Sequence, residues 1–365
     1  MKLHLYFARK FFYAFGTVFA VFLGLLTLLD LVEQFRRFEG DALGFATALE
    51  LALLAMPETL YSILPLVVIL ATLTLFLGLA RTSEMVVTRA AGRSAIRALV
   101  APGIGALLLG ALAVTVFNPI VAATKVQYDL RSEQLDSGGR RVLSVSEEGL
   151  WLRQGNPDGQ TVIRAERANP DGTVFYDVTF IGIDPTGTPV SRIEAERAEL
   201  ATGEWQMRSA KVWDLVGSTN PERDAQVLDT YSLASTLTRD QIRDSFGDPS
   251  AIPIWELPAF IASLDRAGFS ARLHRVWLQM QLATPVFLLA MLLIGAAFTM
   301  RHTRFGRTGV MVLSALLLGL GVFFIRNFAQ ILGENGQIPV ALAAWSPPVA
   351  AILLSLGLLF HLEDG

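Results

Sequence analysis

The sequence predicts a membrane protein of six transmembrane α-helices, arranged three and three around an inserted, water-facing all-β domain. Three observations carry this fold class. Hydrophobic residues make up 52% of the 365-residue chain and charged residues only 17%, where a soluble domain carries about 25% charge. Six stretches are long and apolar enough to cross a bilayer, at about residues 11–31, 59–80, 98–121, 278–299, 309–328 and 340–361. Charge gathers in the middle: residues 125–272 hold 16 Lys and Arg against 23 Asp and Glu, and the remainder holds 14 against 10.

The first span follows Lys2, Arg9 and Lys10 and runs from Phe11 to Leu31. At about 1.5 Å per residue it reaches about 32 Å, enough for a hydrocarbon core. A signal peptide has a shorter apolar core and a small-residue cleavage site; none follows here, so the helix is expected to be retained. The second span begins near Pro57 and contains Pro65, which predicts a kink or an early start. The sixth contains Pro347 and Pro348, which predict a break or bend. Sidedness follows from the loops. Arg81, Arg89, Arg93 and Arg97 meet one acid, Glu84, after the second span, and Arg301, His302, Arg304 and Arg307 meet none after the fourth. Such loops belong in the cytoplasm. Both termini are then cytoplasmic, and the central domain lies on the far side.

The sequence divides into 1–124 with the first three spans, 125–272 as the central domain, and 273–365 with the last three. Within the centre, β-rich runs at 142–155, 160–168, 174–184 and 190–215 are separated by turn signals such as Asn169-Pro170-Asp171-Gly172 and Asp184-Pro185-Thr186-Gly187. Alternation places Ile193, Ala195 and Arg197 on one face, with Glu194, Glu196 and Glu199 largely on the other. Strands at this spacing predict a sandwich or jelly roll. Trp151, Trp205 and Trp213 read as core or rim aromatics, and residues 237–272 as helical or irregular.

Several chemistries are excluded. The chain has no cysteine, hence no disulfide or thiolate site. None of its lysines stands in a Gly-Lys-Ser/Thr context, so a Walker phosphate loop is absent, and no other nucleotide fingerprint occurs. The 4 histidines are scattered without ligand spacing. No Gly-x-Ser-x-Gly elbow appears, and no basic, aromatic-interleaved patch points to nucleic acid. No metal or catalytic residue is predicted.

The segment Arg81–Gly92, RTSEMVVTRAAG, carries the most specific signal. Thr82 or Ser83 can cap a short helix, Glu84 sits in its first turn where the dipole favours an anion, and Gly92 is a natural stop. One reading is an interfacial helix with solvated charges. The other is a coupling helix, about 82–92, that docks into a cytoplasmic ATPase with Glu84, Ser83 and Arg89 at the contact.

This segment, together with YFARKFF and LLDLVEQFRRF around the first span and GQIPVALAAWSPP leading into the sixth, resembles the LptF/LptG permeases of lipopolysaccharide export. The resemblance covers essentially the whole chain, and its start and end are closer to the LptG type. It implies an inner-membrane permease subunit that extracts lipopolysaccharide and hands it to a periplasmic jelly roll continuous with a β-bridge. The implied partners are a sister permease of LptF type, a single-span partner of LptC type, and a cytoplasmic ATPase dimer that holds the ATP and Mg this chain cannot bind. By the same resemblance, Arg36 and Arg37 face a vestibule for the phosphorylated head group, where a guanidinium fork suits phosphate; as residues alone they equally read as a snorkelling helix anchor.

One position departs from the family. Asp30 stands where many LptG-type sequences carry lysine, while Arg326 lies near the outer end of the fifth span. The first and fifth spans line the lateral gates in this family, so Asp30 and Arg326 are a candidate gate pair, or Arg326 a further head-group ligand. Phe11, Phe15, Phe19 and Phe22 form a stripe near helical spacing: packing or bulk-lipid contacts by default, with Phe15, Phe19 and Phe22 as candidates for the lipid tails. The rival function class is a membrane-anchored enzyme or scaffold with a periplasmic substrate-binding domain.

Overall fold

The computed structural model describes residues 2–37, 44–90, 94–135, 143–146, 149–156, 159–169, 172–235, 237–238, 242, 248–266, 268–300 and 308–363. In chain order the helices are α1 (Lys2–Arg37), α2 (Phe45–Arg81), α3 (Glu84–Ala90), α4 (Ala95–Leu112) and, after a π-helical turn at Ala113–Phe117, α5 (Asn118–Leu135). The strands follow: β1 (Leu143–Ser146), β2 (Gly149–Asn156), β3 (Gly159–Ala168), β4 (Val174–Ile183), β5 (Pro189–Ala201), β6 (Glu204–Asp214) and β7 (Gln226–Ala234). The chain then forms α6 (Leu257–Arg266), α7 (Arg272–Thr299), α8 (Thr308–Glu334) and α9 (Val340–Glu363). Two compact units result. One comprises Met1–Leu135, Ser250–Trp255 and Arg272–Gly365; the other comprises Asp136–Pro249 and Glu256–Ala271.

In the helical unit, six helices among the described residues are long and apolar enough to cross a membrane: α1, α2, the α4–α5 run, α7, α8 and α9. The early start predicted for the second span is observed, since α2 begins at Phe45 and continues through Pro57 and Pro65. The break predicted in the sixth does not occur. α9 runs unbroken through Pro347 and Pro348, although two helical amides are missing there. Both prolines are buried against protein rather than facing lipid, the setting in which a membrane helix tolerates proline. Small residues set the closest approach. A Cβ on Gly110 of α4 would stand 2.3 Å from Pro285 Cα of α7, so these two backbones touch as helices do in a membrane. The π-turn interrupts the normal ladder, and Trp255 donates to the Thr115 carbonyl at 3.3 Å while the Asn118 side chain accepts from Ile254 N at 2.9 Å.

The other unit is built on a seven-stranded antiparallel sheet in the order β1-β2-β3-β4-β5-β6-β7. Each strand pairs with its sequence neighbour, so the described strands form a meander. The Asp184 turn joins β4 to β5, its Oδ1 accepting from Thr186 N at 2.9 Å and Thr188 N at 2.8 Å. The buried face is not strictly alternating. It runs Ile163 and Ala165 then Ala168 on β3, Ile193 and Ala195 then Ala198 on β5, and Trp205 and Met207 then Ala210 on β6. On each of these strands the period slips at the same level across the ladder, and on β6 it slips a second time before Trp213. Asp177 (φ 54°) and Ser209 (φ 52°) sit in that row, in the left-handed region that non-glycine residues seldom visit. The slip resembles a bulge carried through the sheet, and it removes Arg197 from the face where alternation put it; Ala198 is buried instead. Trp205 is wholly buried, with Phe175 and Phe180 at 5.1 and 5.9 Å between ring centroids. Leu257, Ile261 and Leu264 of α6 are buried, and Phe269 packs on Phe175.

Candidate functional site

At the junction of α2 and α3, the predicted coupling segment is held by α1. α2 ends at Arg81, Ser83 turns with φ 58°, and α3 starts at Glu84. Lys10 Nζ donates to both Glu84 oxygens, at 2.7 and 2.9 Å, and Tyr6 OH donates to Oε2 at 2.8 Å. Thr82, with Ser83 one of the two cap candidates, donates its hydroxyl to Glu84 Oε1 at 2.9 Å. Burial alone would push the Glu84 carboxyl up; the hydrogen bonds from Lys10, Tyr6 and Thr82 outweigh it and hold the group below the usual carboxylate range. Met85 is buried against the helical core, while Val86 and Val87 are 54% and 67% exposed. The short helix thus has a fixed side and an apolar outer side. Arg89 lies on α3; Gly92 lies outside the described residues.

At the other end of α1, Arg36 donates to Glu33 at 3.1 Å and is largely exposed. Arg37 donates to Tyr128 OH of α5 at 2.9 Å, and Gln34 lies within 3.3 Å of the same hydroxyl. One helix of 36 residues therefore links the Glu84 knot to the arginine pair, a distance of about 40 Å from Lys10 to Arg36 at helical rise.

Arg326 is not with that pair. It lines a cavity of about 380 Å³ bounded by α2, α5, α7 and α8, together with Tyr61, Asn118, Trp277, Gln281 and Phe287. Its guanidinium carbon lies 4.9 Å from the centre of the Phe287 ring. Its Nε is buried without a hydrogen-bond partner, as is Trp277 Nε1 in the same wall. Tyr61 donates to Gln281 Oε1, and Lys125 and Ser250 both donate to Glu58 Oε1. Asp30 sits beside Thr59 with a buried, unpartnered Oδ2. Among the described residues no ion pair joins Asp30 to Arg326 within the chain.

The aromatic stripe divides. Phe11 is fully buried, whereas Phe15, Phe19 and Phe22 are half-buried, with Phe15 stacked on Phe19 at 5.7 Å. Two helices leave long apolar faces bare: α1 exposes Leu28 and Val32 by 64% and 66%, and α8 exposes Phe324 and Phe328 by 61% and 62%. Among the described residues no group of three or more His, Asp and Glu could hold a metal ion.

Sequence reasoning misses Tyr6 and Lys10 as partners of Glu84, and the whole wall around Arg326. For the second a signal exists: Gln281, Thr284 and Asn327 are polar residues within apolar spans, which in lipid face protein or water.

The family described as Lipopolysaccharide export system permease LptF/LptG matches residues 5–361. The Lipopolysaccharide export system permease protein LptG of Haemophilus influenzae is 23% identical over 367 residues, covering 96% of this chain and 96% of its own length. LptG of Escherichia coli K12 is 23% identical over 348 residues, covering 93% and 91%.

Proposed function

Since the chain belongs to the LptF/LptG family of lipopolysaccharide export permeases, we propose that it is one half of an ATP-driven exporter that draws lipopolysaccharide from the outer leaflet of the inner membrane and passes it to a periplasmic β-bridge leading to the outer membrane. As a permease of that family it is a membrane subunit of a transport complex, not itself an enzyme. ATP and Mg are bound and used by a cytoplasmic ATPase dimer. A sister permease of LptF type completes the transmembrane cavity, and a single-span LptC-type partner joins at the periplasmic side.

The observation that carries this reading is the pair of bare apolar faces on α1 and α8. Faces of this extent within one chain call for lipid or a partner helix. In the proposed assembly they border lateral gates, where α1 of one permease meets the fifth span of the other. Arg36 and Arg37 take the phosphorylated head group there, with Arg326 as a further ligand, and Phe15, Phe19 and Phe22 contact the tails. Shielding is essential, because each acyl CH₂ exposed to water costs about 0.8 kcal/mol. Movement enters through α3, whose exposed Val86 and Val87 suit a groove on the ATPase, and passes to α1 through Glu84 and Lys10. The β-sheet unit lies in the periplasm as a jelly roll, both termini lie in the cytoplasm, and the exposed edge strand β7 offers its backbone to the next sheet of the bridge.

Photo-crosslinkers placed at Arg36, Phe19 and Trp151 in cells test this. Lipopolysaccharide is expected on all three; bulk phospholipid alone at every position would overturn the reading.

A further inference from the structure

The third span carries a hinge that its own sequence opens. Pro119 has no N–H, so the Thr115 carbonyl one turn earlier loses its α-helical donor, and the proline ring crowds that carbonyl. The ladder widens in response: Asn118 N bonds to Ala113 O, five residues back, across the π-turn Ala113–Phe117. Before the turn, Gly110 of α4 is fixed against Pro285 of α7. After it, α5 carries Lys125, paired with Glu58, and Tyr128, which accepts from Arg37. The freedom that the turn introduces therefore falls to α5.

A short strap covers this turn. Residues 250–255 belong to the helical unit, while Pro249 and Glu256 on either side of them belong to the sheet unit. Trp255 Nε1 donates to the Thr115 carbonyl at 3.3 Å, Ile254 N donates to Asn118 Oδ1 at 2.9 Å, and Ser250 donates to Glu58 Oε1 at 3.3 Å. The donor that proline removes is thus replaced from a segment 140 positions away. Two of the three bonds are long and Trp255 is 66% exposed, so the strap is held by contacts that can be given up one at a time.

We propose that residues 250–255 are a latch that holds the proline hinge of the third span closed, and that a pull on either flank of the strap opens it and frees α5 to swing together with Tyr128 and Arg37. Trp255 and Asn118 are its positioning residues. A net hydrogen bond shifts an equilibrium by about two- to tenfold, so removing one of the three raises the open population by that factor without unfolding the helix. The clamping stands on these contacts alone; its release during transport rests on the permease reading.

The test follows the full chain in detergent by hydrogen exchange read with mass spectrometry. Trp255→Phe keeps an aromatic ring and removes only the indole N–H. It is expected to speed exchange across residues 116–121 by about two- to tenfold, and Asn118→Ala by at least as much, with α7 unchanged in both. If Asn118→Ala does not fold, Trp255→Phe decides. Unchanged exchange at 116–121, or a rise spread over all the spans, overturns the latch. The second arm locks it. The chain has no cysteine, so Asn118→Cys with Ile254→Cys offers one reversible disulfide, and the 2.9 Å bond between these residues brings them within reach of it. In cells the oxidised pair is expected to stop export and reduction to restore it. Full export with the pair oxidised, or a pair that does not oxidise, overturns the proposal. If the exchange response holds while neither wild type nor any variant supports lipopolysaccharide export, the permease reading fails and the clamped hinge stands.

Discussion

Lys10 of α1 and Glu84 of α3 are joined at 2.7 Å, which ties the first span to the segment proposed to meet the ATPase. Tyr6 closes the same knot at 2.8 Å. An arginine on a partner ATPase would have to share Glu84 with Lys10 or displace it. Glu84 is thus both a docking group and the tie between α3 and a long helix whose far end carries Arg36 and Arg37.

Glu84→Ala is expected to leave a folded protein, because a partly exposed ion pair contributes about 1 kcal/mol or less. Co-purification with the cytoplasmic ATPase should be lost. Lys10→Ala should weaken export while leaving more of the ATPase bound, since α3 keeps its docking face and loses only its link to α1. Pull-down and export measured on the same strains check this. Full export in Lys10→Ala would show that the tie carries no motion.

The same knot has a pH signature. The Glu84 carboxyl in the folded chain lies below its ordinary value, so the charged form binds more tightly when folded. Its stabilisation is fully present above the ordinary carboxylate range and fades as pH falls through the lowered folded value. The difference in unfolding temperature between wild type and Glu84→Gln should therefore be flat near neutrality and shrink only in acid. A difference that grows on acidification would contradict the geometry.

Arg36 and Arg37 are separable. Among the described residues Arg36 meets a neighbouring turn through Glu33, so Arg36→Ala should change stability by no more than about 0.5 kcal/mol and act on head-group crosslinking alone. Arg37 also holds Tyr128 of α5, and its replacement should lower crosslinking and, in addition, loosen the outer end of α1. Hydrogen exchange at the ends of α1 and α5 distinguishes the two. Equal protection in both variants would remove Arg37 from that structural role.

The spans and strands are readable from the sequence because each follows from local pattern: apolar length for helices, and turn chemistry such as Asp184-Pro185-Thr186-Gly187 for hairpins. What stays hidden depends on contacts distant in sequence or on backbone states without a residue mark. Glu84 and Lys10 are 74 positions apart. The slip across the sheet passes through Asp177 and Ser209 rather than glycines, so no glycine announces the positive φ. Arg197 continues the alternation on paper and leaves the core face in the fold. For Arg326 the depth is legible and the direction is not, since whether a helical arginine turns outward or into a cavity depends on what the neighbouring helices present.

Gly110 tests the packing of the helical unit. A methyl group there meets Pro285 backbone at 2.3 Å, and backbone cannot rotate away. Gly110→Ala should destabilise by about 1–3 kcal/mol through overpacking. Gly357→Ala, where a Cβ meets nothing within 4 Å, should instead stabilise by about 0.5–1 kcal/mol by stiffening a helix. Thermal unfolding in detergent reads both. A neutral Gly110→Ala would mean that α4 and α7 can slide apart at this level.

The last prediction concerns charge reversal. A pair between Asp30 and Arg326 would make Asp30→Arg harmful alone and tolerated together with Arg326→Asp. Within the chain the two residues face different surroundings: Asp30 lies beside Thr59, and Arg326 lies over Phe287 in a cavity that Asp30 does not line. The double reversal should therefore export no better than the worse single variant, each losing a different environment. Arg326→Asp should do the greater damage, because it removes the cation and places a second carboxylate in a cavity that Glu58 already lines. Rescue of export in the double variant would place the two side chains together in the working assembly, and would require α8 to turn Arg326 out of its cavity to meet α1.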